Sequence, residues 1–110
     1  MIHLLNERAI PEQVAEMEEA LGSYIKLAVD VERKTVAGGG VLHADCEAVL
    51  LADGSMQENV WGADWIPYLK EVTFESLINI RSRQNNFSME IEDEDLRTKI
   101  RSIVTEIFTD

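Results

Sequence analysis

A chain of 110 residues, 45% of them hydrophobic, is long enough for one domain with a real core and too short for two. Its single cysteine, Cys46, excludes an internal disulfide and suits a reducing compartment. A net charge of −11, from 21 acids against 10 bases, disfavours generic DNA or RNA binding and an anionic membrane surface.

The start, Met1-Ile2-His3-Leu4-Leu5-Asn6-Glu7, lacks the basic and apolar regions of a signal peptide. No apolar run reaches the roughly 18 residues that span a bilayer. A cytoplasmic protein is expected, with no nucleic-acid or membrane partner.

Ile10 and Pro11 introduce a first helix, with Glu12 favoured by its dipole and Gly22 as its stop. Val14, Met17 and Leu21 face the core. Period-two alternation follows, with Ile25, Leu27, Val29 and Val31 on one side and Lys26, Ala28, Asp30 and Glu32 on the other. Glu32-Arg33-Lys34 reads as a turn into a short strand, Thr35-Val36-Ala37, which Gly38-Gly39-Gly40 should end. A second helix runs from His43 or Ala44 to Asp53, with Cys46, Val49 and Leu50 inward and Gly54 as its stop.

After Ser55, Trp61, Ala63 and Trp65 share one side of a strand, and Pro67-Tyr68-Leu69-Lys70 forms a turn. Val72, Phe74, Ser76, Ile78 and Ile80 alternate on the return, which predicts a long antiparallel hairpin. Residues 81–89 show no hydrophobic period and read as loop. Asp93 caps a last helix whose stripe is Leu96, Ile100, Ile103, Val104 and Ile107. The sum is a single α+β domain over residues 1–110: two layers, a mainly antiparallel sheet and about three helices. A sheet with alternating strands and helices on one face leaves a second face free, which invites a homodimer.

Four strings in the middle of the chain are distinctive. They are Val29-Asp30-Val31-Glu32 leading to Ala37-Gly38-Gly39-Gly40, then Leu42 to Leu51, Gln57 to Asp64, and Ser76 to Ile91. In that order the chain resembles a family of small bacterial proteins catalogued only as a domain of unknown function. The resemblance implies a shared fold and lends no activity.

Function is therefore sought in constellations. Arg81-Ser82-Arg83-Gln84-Asn85-Asn86 places two guanidinium groups two residues apart, followed by three amides. Guanidinium binds carboxylate or phosphate through paired hydrogen bonds, so the segment suggests a site for a small anionic or polar ligand, with His43 nearby. The competing reading pairs both arginines with surrounding acids and makes Asn85-Asn86 a turn.

A second set is Asp30, His43, Glu47 and Asp64, an oxygen- and nitrogen-rich group able to hold a divalent ion for a metal-dependent hydrolase. Acids are so common here that such a set can always be chosen. The glycine triplet before a helix suggests a phosphate cradle, but neither G-x-G-x-x-G nor a Walker lysine accompanies it, and no cofactor is called for. Close approach of another backbone explains it better. Asp30, Glu32 and Lys34 have nuclease-like spacing along one hairpin, where a solvated face explains them. Cys46 reads as a buried small hydrophobe, and His3 has no partner that sequence can name. Three functions follow: a non-catalytic binding or regulatory module acting through Arg81–Asn86, the hydrolase, and an assembly protein.

Overall fold

The computed structural model describes residues 1–110. Strands form over His3–Leu5 (β1), Ile25–Asp30 (β2), Thr35–Gly40 (β3), Val60–Ile66 (β4) and Glu71–Thr73 (β5). Helices cover Pro11–Glu18 (α1), His43–Ala52 (α2) and Glu94–Phe108 (α3). The sheet order is β1-β3-β2-β4-β5, with every neighbouring pair antiparallel. Together these make an α+β fold with the three helices expected.

Helices lie on both faces of this sheet. Leu27 and Val29 of β2 and Trp61, Ala63 and Trp65 of β4 bury against Met17 of α1 and Ile100, Ile103, Val104 and Ile107 of α3. Ala28, Ala37 and Val60 point the other way, onto Cys46 and Leu50 of α2. The face that alternation left for water or a second copy is thus occupied by a helix. Lys26, Asp30 and Glu32 make that face look polar in the sequence. At its centre, however, Ala28, Ala37 and Gly62 are small rather than hydrophilic, which lets α2 settle close.

Chain ends of the helices follow local chemistry. Asp93 Oδ1 accepts the Asp95 and Leu96 backbone N–H groups at 2.9 and 3.4 Å, the capping role expected of it. In α2, Asp45 Oδ2 accepts the Leu42 N–H at 3.2 Å, reaching back over the first turn. His3 finds its partner in α1, where its Nε2 lies 2.8 Å from Glu16 Oε1.

The glycine triplet does not end the strand; β3 runs through it. Pairing shifts register where Lys26 faces Gly40 and Leu27 faces Gly38, leaving Gly39 as the bulged residue at φ +105°. A Cβ there would sit 2.2 Å from the Met1 carbonyl oxygen and 3.0 Å from Met17 Cα. Close backbone approach, not a phosphate, requires Gly39, while Gly38 makes room for the Leu27 and Met17 side chains.

The long hairpin is also shorter than its alternation predicts. β5 pairs with β4 only from Asp64↔Thr73 to Ile66↔Glu71, and the chain then turns away through a 3-10 turn at Leu77–Asn79. Gly62 permits the crossing: a Cβ on it would meet Ser76 at 2.6 Å.

Candidate functional site: a groove beside the Arg81 turn

Where β5 departs, the outer edge of β4 would be left with free backbone groups. Side chains fill the gap. Asn79, fully buried, accepts the Gly62 N–H through Oδ1 at 2.8 Å, and its Nδ2 lies 3.0 Å from the Gly62 oxygen. One carboxamide so replaces a strand partner.

Arg81 continues the edge. Its Nε donates to the Ile78 oxygen at 2.9 Å, Nη1 to the Gln57 oxygen at 2.9 Å, and Nη2 to the Val60 oxygen. Its Cζ stacks 4.4 Å from the Trp61 ring centroid. Burial lowers the Arg81 pKa, and the nearby Glu47 carboxylate opposes that shift.

The rest of the turn is organised the same way. Arg81 and Asn86 exchange backbone hydrogen bonds at 2.7 and 3.0 Å, and Asn85 closes the bend in the left-handed region at φ +59°. Buried Asn86 donates to the Asn79 and Glu90 oxygens, each at 2.8 Å, and accepts the Glu92 N–H. Gln84 Nε2 donates to the Glu58 oxygen at 2.8 Å. Of the residues singled out as ligand contacts, Arg81, Gln84, Asn85 and Asn86 are therefore engaged with the protein itself. Arg83, exposed like Gln84 and Asn85, makes no ion pair or side-chain hydrogen bond.

His43, the other residue singled out, is 2.8 Å from Asp64 Oδ1 through Nε2, and Thr73 Oγ1 donates to Asp64 Oδ2 at 3.1 Å. The remaining members of the proposed metal set lie elsewhere. Glu47 faces Arg81 Nη2 at 3.7 Å. Asp30 Oδ1 accepts the Glu32 and Arg33 N–H groups at 2.9 and 3.0 Å, tightening the turn after β2. Asp64 pairs opposite Lys26 and Asp30 opposite Val60, four residues apart along the strands, or roughly 13 Å at the usual rise. No three His, Cys, Asp or Glu side chains gather where one ion would be held.

Beside the turn lies a groove of about 960 Å³, bounded by α2 at Glu47, the 3-10 turn Gln57–Asn59, and Leu77 to Gln84. Leu77 is 74%, Met56 59% and Ile80 50% exposed on its walls, with Arg83 among them. The Glu47 and Arg81 side chains, 13% and 11% exposed, form its inner end. A second depression of about 370 Å³ shares Leu77 and Ile78 and is lined by His43 and Asp64.

Met56, Leu77 and Glu47 as groove residues were not apparent from sequence. Leu77 and Ile80 alternate as if in a strand. The available signal was Asn79, a polar residue in the middle of that apolar run.

No helix is long and apolar enough to cross a membrane. No curated protein matches the chain, and no solved structure does. The model of one family, described as "Protein of unknown function (DUF5674)", matches residues 3–107. With its sheet, its engaged Arg81 turn and its open groove, the chain belongs to that family.

Proposed function

We propose that the chain is a non-catalytic binding or regulatory module, and that its groove takes a small ligand with an apolar body and an anionic or polar head. One observation carries this reading: three exposed apolar side chains, Met56, Leu77 and Ile80, surround a single concavity that also holds an unpaired guanidinium, Arg83. Apolar side chains grouped in this way mark interaction sites more often than scattered ones do. Burying a leucine side chain contributes about 1.5–3 kcal/mol, whereas an exposed ion pair contributes about 0–1 kcal/mol. The walls then supply most of the affinity, and Arg83 selects the charge of the head.

The hydrolase alternative has no observation in its favour, since Asp30, Glu47 and the His43–Asp64 pair each have a separate partner. A reducing cytoplasm goes with the proposal, in keeping with the buried, unpaired Cys46. So does a homodimer. Because α2 covers the sheet face, such a dimer would use exposed apolar residues elsewhere, such as Tyr68 at 91% exposure.

Titration with 4-methylpentanoate, followed by backbone amide NMR, tests the groove. Shifts are expected at Met56, Leu77, Ile80 and Arg83. Leu77→Asp should abolish them, and Arg83→Ala should weaken binding by up to about fivefold. Shifts scattered over the surface, or unchanged in Leu77→Asp, would overturn the reading.

A further inference from the structure

We infer that the ligand of this groove carries a nitrogen donor next to its carboxylate, as a free apolar α-amino acid or the C-terminus of a polypeptide does. The inference rests on the binding reading above and adds to it the chemistry of the head group. Its ground is Glu47, at the inner end of the groove.

The Glu47 side chain is only 13% exposed, and Oε2 is shut off from solvent without a hydrogen bond. Its neighbour Arg81 balances the charge at 3.7 Å but is too far to donate, because that guanidinium is committed to the carbonyls of Ile78, Gln57 and Val60. Oε1 is not closed off in this way, and Glu47 lines the groove. A largely desolvated carboxylate without donors is costly, and an N–H from a ligand would relieve that cost.

Gln84 Nε2 is taken by the Glu58 oxygen, and Glu58 is itself an acid. A bare anion entering here would meet Arg83 but also Glu47, Glu58 and the field of a chain at −11. A head group with an N–H beside its carboxylate meets both signs: nitrogen toward Glu47, carboxylate toward Arg83, apolar side chain on Leu77 and Ile80. A free amino acid, with net charge near zero, is also spared the overall repulsion that a chain terminus meets.

Three ligands with one apolar body and one carboxylate separate the possibilities: leucine, N-acetyl-leucine and 4-methylpentanoate, titrated into the intact chain by NMR. At least one nitrogen-bearing ligand should bind about tenfold or more tightly than 4-methylpentanoate, the effect of one hydrogen bond to a charged, desolvated group. Leucine as the tighter of the pair identifies a free amino acid, and N-acetyl-leucine a chain terminus. In Glu47→Met, with unchanged circular dichroism, the gap should close. Should that variant not fold, Glu47→Gln, which keeps the shape beside Arg81, should narrow it. Equal binding of all three at the groove would overturn this inference and leave the binding reading standing. No response to any of them would overturn both, and a gap that persists in a folded Glu47 variant would remove Glu47 from the site.

Discussion

Asn79 does the work of a strand with one side chain. Its carboxamide offers an acceptor and a donor in the spacing of a peptide group, so it satisfies both backbone groups of Gly62. Asn79→Ala leaves two buried backbone groups unpaired at about 1–3 kcal/mol each. A loss of about 3 kcal/mol is expected, seen as a lower urea midpoint at unchanged slope. Arg81 and Arg83 make the sharper contrast. Removing Arg81 orphans the Ile78 and Val60 carbonyls and the Glu47 charge, while the Gln57 oxygen keeps the Val60 N–H, so Arg81→Ala should cost about 3–5 kcal/mol. Arg83→Ala, which touches no protein partner, should change stability by about 0.5 kcal/mol or less. Paired thermal melts read the difference; similar losses for both would contradict these roles.

At the scale of elements, the turn between residues 86 and 92 depends on ionisation. Glu92 Oε2 accepts the Phe87 and Ser88 N–H groups at 2.7 and 3.0 Å, and chiefly the Phe87 bond lowers its pKa from the ordinary glutamate value. A carboxylate with a depressed folded pKa contributes its full stabilisation above the unfolded value and loses it as pH falls through the folded one. The Phe87 and Ser88 amide shifts should therefore titrate together at a pH below that of an ordinary glutamate, and a midpoint at or above the ordinary value would refute the clamp.

Elements with an unbroken period were legible from sequence: β2, β4, α2 and α3 fall where alternation or the helical stripe put them. β1 has only three residues, too few to show a period. The hairpin was overextended because alternation from Val72 to Ile80 is real but is overridden at Ser76, which must cross Gly62, and at Asn79, which is needed inside. The segment Arg81–Asn86 was legible as unusual, but its use was not. Knowing that Arg81 belongs to the carbonyl of Val60 requires knowing that β5 stops short and leaves that end of β4 unpaired.

For the whole molecule, α2 on one face of the sheet and α1 with α3 on the other leave neither sheet face open to a second copy. Two chains at −11 each also repel one another. The proposed homodimer should accordingly tighten as salt screens that repulsion over a Debye length of about 10 Å at 0.1 M. Sedimentation velocity at low and high salt would show the larger species only, or mainly, at high salt. A monomer under both conditions would remove the dimer.

Sheets with open margins are templates for fibrous stacking, since any extended segment can zip onto a row of free amides. Here both margins are strands of three residues, and the stretch of β4 that β5 leaves bare is finished by side chains that no incoming peptide can displace without first pulling out a buried core residue. The folded protein is consequently a poor seed for aggregation even in crowded solution, and that resistance hangs largely on a single amide group.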